Sequence, residues 1–326
     1  AFLIFLAALG LLVFVLFAGS DNNTFATSWI NVTALPFIDS VQPSELAKFA
    51  MILYLSYFFA EKISIQKLQD WKEGFLKFAL IAGAMIGPIV LQPDIGSAMV
   101  MVVIAVTIYF LAGANWKHLA IGAAVVGIAA IVAVQSMSHI QERIMSFLAP
   151  EPECIEEYCW QSRQANIAIG SGGFWGKGLT QGIQKSYWLP QASDDFIFAA
   201  SAEELGFLRT SAIVLLYALI AYRGFKIAQH APNKFAMLMA AGMTTWISAQ
   251  AFINIMVNTA LFPITGITLP FMSYGGSSMV MTLLAIGVIL NISQFTSSDA
   301  YTSDWRRNRG TRGSQYGSRR RYTRTV

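Results

Sequence analysis

Residues 96–114 read GSAMVMVVIAVTIYFLAGA, a run with no Asp, Glu, Lys, Arg or Pro. The hydrocarbon core of a bilayer needs about 20 mostly apolar residues to be crossed by one helix. This run is therefore predicted as a membrane span, and comparable runs lie on both sides of it. Working outward, candidate spans are 1–19, 44–60, 75–91, 96–114, 118–137, 203–223, 235–259 and 278–295. Only 12% of the 326 residues are charged and 55% are hydrophobic, where soluble domains carry about 25% charged residues. The expected fold is an all-α polytopic membrane helix bundle with eight visible spans. Residues 1–19 lack a basic leader and a small-residue cleavage site, so they read as a span and not as a signal peptide.

Lysine and arginine placement predicts the orientation. Lys62, Lys67, Lys72 and Lys77 flank one connection, and Lys117 lies in the next on that side. Arg223, Lys226 and Lys234 flank the third, and eight arginines follow from Arg306 to Arg324. That side is taken as cytoplasmic. Residues 1–295 form the bundle, and residues 296–326 are expected to be a basic, disordered cytoplasmic tail. The tail can act as a topology anchor or attract anionic lipid headgroups. No nucleic-acid partner is expected.

Two polar, motif-rich segments then face outward. One is the long loop, about 138–202, holding both cysteines, Cys154 and Cys159, which pair or stay as thiols. The other is 260–277. Within and beside them lie the residues that can carry chemistry. Ser44 is a plausible N-cap for a helix on which Glu45 and Lys48 share a face. Asp94 tops a turn between two spans. Singly, Glu45–Lys48 reads as a structural ion pair and Asp94 as a helix cap. Their common depth suggests a shared polar cavity.

The loop adds Lys177, Lys185, Asp194, Asp195, Glu203 and Glu204. Glu203 and Glu204 suit the start of a helix, where the macrodipole favours acids. Asp195 precedes the apolar run FIFAA at 196–200, which should dip into the bundle and hold the carboxylate at the bilayer edge. A partly dehydrated carboxylate has a raised pKa and can act as a general base. Chemistry alone does not separate Asp195 from Asp194. The glycines between Gly170 and Gly182 can cradle a phosphate or make a flexible turn, but the GxxxxGK[ST] pattern of a P-loop is absent. Gln250, Asn254 and Asn258 recur every four residues and read as interhelical hydrogen-bond partners. No His, Cys and carboxylate spacing for zinc is present.

Five motifs in order resemble the SEDS family (shape, elongation, division and sporulation), which includes FtsW and RodA. They are QPSELAKFA at 42–50, QPDIGSA at 92–98, AIGSGGFWGKGL at 168–179, QKSYWLPQASDDFIFAASAEELGF at 184–207 and PITGITLPFMSYGGSS at 263–278. The resemblance covers nearly the whole chain. It implies ten membrane helices, so the first two are expected to be missing here. It implies a peptidoglycan glycosyltransferase that polymerises lipid II outside the bacterial cytoplasmic membrane. It places the family's essential aspartate on Asp195. Glu45, Lys48 and Asp94 match polar cavity positions, Trp29 matches the tryptophan of an outer loop, and Lys48 and Lys185 are candidates for charge on the pyrophosphate. A divalent cation, Mg or Mn, is a further candidate for that charge, and a class B penicillin-binding protein is the implied partner.

The sequence departs from the family at Pro190-Gln191 and Ser193-Asp194, where Pro-Glu and His-Thr are usual, and at Arg209, where glycine is common. Thr268 leans towards the FtsW branch. Two other functions fit the same cavity: a lipid II flippase and a non-catalytic scaffold for the transpeptidase.

Overall fold

The computed structural model describes residues 1–18, 30–31, 40–148 and 157–315. In chain order the helices are α1 Phe2–Ala18, α2 Pro43–Tyr57, α3 Ile65–Leu68, α4 Lys77–Leu91, α5 Ile95–Leu111 and α6 Trp116–Ser136. They continue as α7 Ser138–Leu148, α8 Glu157–Gly172, α9 Gln184–Tyr187, α10 Ile197–Gln229, α11 Lys234–Asn258 and α12 Gly276–Gln315. Wide π-type turns, Phe58–Lys62 and Trp71–Leu76, prolong α2 and lead into α4. Among the described residues the sole extended pairing is a two-residue antiparallel ladder, Ile30–Asn31 against Ser40–Val41.

Among the described residues five helices are long and apolar enough to cross a bilayer: residues 71–91, 116–136, 197–229, 234–258 and 276–296. Phe2–Phe17 and Ile95–Leu111 are shorter apolar helices. The eighth expected span falls on α2, which buries Glu45 and Lys48. Both boundaries shift at 203–223, where α10 begins at Ile197 and runs to Gln229. The apolar run after Asp195 is itself helical, and the chain breaks at Gly206, whose φ of 77° and ψ of 175° leave the helical region. A short re-entrant piece thus precedes the spanning piece. The long loop is also more ordered than its polarity suggests, since it contains α7, α8 and α9. The helical backbone of α12 continues to Gln315, where the sequence reading places a disordered tail. Its apolar part ends at Thr296.

α11 is the axis of the bundle. It packs against α10, α5, α2 and α12, and most of its residues are buried. Lipid tails are as apolar as leucine, so close approach and not the hydrophobic effect holds such helices together. A Cβ on Gly242 would stand 2.7 Å from Ile52 Cγ2 and 2.9 Å from Ile108 Cδ1, so glycine lets α2 and α5 meet α11. α6 is the opposite case: it buries only His118 and exposes Ile121, Val125, Ile128 and Ile131. In water such a stripe would be an aggregation hazard. Against acyl chains it is at home.

The two ends of the bundle differ. At one end Gln69 Nε2 donates to the Gly113 carbonyl (3.3 Å), and Tyr109 and His118 share a buried hydrogen bond (2.9 Å). This is the lysine-flanked end. At the other, the start of α2, the 92–94 turn, the segment before α10 and the 260–277 loop converge.

Candidate functional site

At that second end, α11 presents three amides on one face, and together they hold two loops. Asn254 Nδ2 donates to the carbonyls of Asp195 (2.8 Å) and Ile267 (2.7 Å). Asn258 Nδ2 donates to the same Asp195 carbonyl (2.9 Å), while its Oδ1 accepts from the Ala199 amide (3.0 Å). The backbone of Asp195 is therefore clamped from below by two buried side chains. From the other side, the Tyr274 amide donates to the Ser193 carbonyl (2.9 Å) and Ser273 Oγ donates to the Asp194 carbonyl. Gly266 completes the enclosure: a Cβ there would stand 3.6 Å from Asp195 Oδ2, and its φ of 71° also favours glycine.

The Asp195 side chain is half-buried by surface area, yet protein packs densely around the carboxyl. Burial comes first among the causes that push its pKa up to about 7, and the neighbouring Asp194 charge adds to it. Arg143 opposes the rise, and Asp94 adds a smaller push. Asp194 is also raised by burial, but Ser193 Oγ donates to it and holds it down. The two acids that chemistry alone left equivalent are thus separated by their surroundings.

Asp94 and Glu45–Lys48 sit beside this clamp. Asp94 caps α5, accepting from the Ser97 amide (3.0 Å), and also accepts from Gln42 Nε2 (3.2 Å) and Ser44 Oγ (3.4 Å). The N-cap of α2 is Gln42 followed by Pro43, not Ser44, because the proline takes the first helical position and Ser44 turns its hydroxyl to Asp94. Lys48 is 1% exposed. Its ammonium donates to Glu45 Oε1 and Gln250 Oε1 (both 2.8 Å) and lies 5.2 Å above the Trp246 ring. Gln250 Nε2 then reaches Thr268 (3.2 Å), so the buried ion pair is wired into the 260–277 loop. Gly96 of the QPDIGSA motif has its own reason: a Cβ there would collide with Ile267 and the Thr265 carbonyl.

A family model described as the cell cycle proteins FtsW, RodA and SpoVE matches residues 1–298. The chain belongs to the FtsW/RodA/SpoVE family. Stage V sporulation protein E of Bacillus subtilis is 39% identical over 288 residues, covering 88% of this chain and 76% of that protein. A probable peptidoglycan glycosyltransferase FtsW of Geobacter sp. (strain M18) is 35% identical over 292 residues, covering 89% and 77%. A chain solved in work on the structural coordination of polymerization and crosslinking by a peptidoglycan synthase complex superposes with a TM-score of 0.73. It is 26% identical, with 91% of this chain and 81% of that one covered. The rod shape determining protein RodA of Thermus thermophilus gives 0.63 at 27% identity, covering 90% and 77%.

In this FtsW/RodA/SpoVE-family chain the glycine-rich segment is not an open phosphate cradle. The amides of Lys177 and Gly178 donate to the carbonyls of Glu203 and Glu204 (both 3.0 Å). A Cβ on Gly172, Gly176 or Gly206 would collide with the backbone it faces. The glycines are there for close backbone approach. Lys177 and Lys185 are likewise engaged, with Glu203 (2.7 Å) and Glu204 (2.6 Å). Glu203 and Glu204 do not open a helix, since α10 starts at Ile197. Their carboxylates instead hold the amides of residues 182–184.

Lys185 also lines a cavity of about 530 Å³ with Leu189, Gln191, Ser193 and Ile197, residues that flank Asp194 and Asp195 in the chain, although neither aspartate lines it. Glu45, Lys48 and Asp94 do not line it. Trp29 lies outside the described residues. Cys159 is disulfide-bonded, and Cys154, the chain's other cysteine, lies outside the described residues. Among the described residues no three His, Cys, Asp or Glu side chains cluster as a metal site.

The sequence signals for Gln250, Asn254 and Asn258 were present in their four-residue spacing. Their targets, two loops far off in the chain, were not.

Proposed function

We propose that this chain is a peptidoglycan glycosyltransferase that polymerises lipid II, with Asp195 as its general base. The observation that carries the reading is the clamp on Asp195. Its backbone is held by Asn254 and Asn258, and its carboxyl is raised to about 7, the range in which a base both accepts and releases a proton near neutrality. In the reaction, the 4-hydroxyl of the acceptor's terminal GlcNAc attacks the anomeric carbon of the donor's MurNAc. The C–O bond to undecaprenyl pyrophosphate breaks, and the hydroxyl proton passes to Asp195. Configuration inverts. Lys185 at the cavity offsets the charge of the departing pyrophosphate; a divalent cation, if one were bound, would supply the same compensation.

The protein is an integral membrane protein. In this reading it sits in the bacterial cytoplasmic membrane with the Asp195 end outside, and a class B penicillin-binding protein crosslinks the strands it makes. The test is glycan-strand formation from lipid II by purified full-length protein, with and without Mg²⁺ or Mn²⁺ and with and without the partner. Asp195→Ala is expected to lose about 10²–10⁴-fold in rate. A variant that polymerises at the wild-type rate refutes the assignment. Translocation of lipid II in proteoliposomes without any polymer would favour a flippase instead.

A further inference from the structure

We propose a second ligand site at the end of the bundle opposite Asp195: a pocket for the phosphodiester headgroup of an anionic phospholipid. It is formed by Arg223, Lys226 and His230 of α10 with Thr296 of α12, around a cavity of about 330 Å³. The spacing of three, four and seven residues puts the three basic side chains on one face of α10. Among the described residues no acid lines the cavity, and neither Arg223 nor Lys226 forms a salt bridge. His230 Nδ1 lies 2.8 Å from the Lys226 carbonyl, which leaves Nε2 as the open ring nitrogen.

The position in the fold selects a lipid. The apolar spans of the two walls end at Gln229 and Thr296, so the cavity lies at headgroup level, between membrane helices. Towards the bilayer centre, the same face of α10 continues as Leu219 and Leu216, 50% and 58% exposed. A basic rim above an apolar stripe matches a phosphate with acyl chains attached. A soluble phosphate would have no use for the stripe. Cations near a helix C-terminus also suit the macrodipole, within the last turn. That accounts for Lys226 and His230, but not for Arg223, more than a turn further back, nor for the wall from α12.

The site is independent of the glycosyltransferase reading and is tested by binding alone. Full-length protein is placed in nanodiscs of phosphatidylglycerol and phosphatidylcholine, and spin-labelled versions of each lipid report the fraction immobilised on the protein. A cation at the membrane surface favours an anionic lipid about fivefold. R223Q/K226Q is therefore expected to remove most of the preference for phosphatidylglycerol, R223K/K226R to keep it, and R306Q/R307Q in the tail to leave it unchanged. Both side chains are exposed, and an unchanged unfolding midpoint verifies that the fold is intact. An undiminished preference in R223Q/K226Q overturns the proposal. So does its loss in R306Q/R307Q alone, and so does displacement of the labelled lipid by millimolar inorganic phosphate, which would make the ligand a free anion.

Discussion

If Asp195 is the base, polymerisation should titrate near neutrality. A carboxyl with a pKa of about 7 is about one-tenth ionised at pH 6 and about nine-tenths at pH 8, so the rate should climb roughly ninefold between them. An ordinary carboxyl is fully ionised over that whole range and would give a flat profile. The causes of the rise supply a second perturbation. Asp194 is the largest electrostatic contribution after burial. Asp194→Asn should therefore move the midpoint to lower pH, leaving the backbone contact to Ser273 intact. The assay is the initial rate of glycan-strand formation at saturating lipid II from pH 5.5 to 8.5, with buffers at constant ionic strength. A flat profile, or a midpoint unmoved by Asp194→Asn, refutes the reasoning. Stability should run the other way. The folded state binds the Asp195 proton more tightly than the unfolded chain does, so folding is favoured at low pH. That contribution is lost as pH rises from about 4 through about 7. At pH 8, Asp195→Asn should accordingly unfold at a higher temperature than wild type.

Three further outcomes are expected. Lys48→Met strands the buried Glu45 carboxylate and should cost about 3–5 kcal/mol, whereas Glu45→Gln with Lys48→Met should recover most of it; thermal unfolding in detergent measures both. Gly206→Ala places a Cβ on a φ of 77° and against the backbone of Trp175 and Gly176. It should abolish polymerisation, while Gly127→Ala, with nothing within 4 Å, should not. Asn258→Ala removes a donor to the Asp195 carbonyl and strands the Ala199 amide. It should cost about 1–3 kcal/mol in stability and lower the rate more than it raises KM.

The bundle was legible because a bilayer imposes its demand locally. Every backbone polar group must be satisfied within its own helix, so a run such as 96–114 declares itself without reference to the rest of the chain. The errors fell where that demand lapses. FIFAA was expected to dip into the bundle, but its union with 203–229 across a break at Gly206 depends on the glycine segment packed against it. The glycines at 172 and 176 read equally well as a phosphate cradle or a flexible turn. Close backbone approach is a third reason for glycine that only a partner strand of chain can reveal. Glu203 and Glu204 were assigned to a helix start, so their pairing with Lys177 and Lys185 could not be read from the sequence.

Charge patterning and hydropathy alone determined the membrane-spanning class and predicted two unlike ends. Motif order alone pointed to Asp195 as the candidate base. What only the tertiary structure decided is why that carboxyl differs from its neighbour. Asn254 and Asn258 lie about 60 positions along the chain from Asp195, and Gly266 and Ser273 belong to another loop again. A pKa is set by solvent removed and charges gathered in space, and neither quantity is written in the order of residues along the chain.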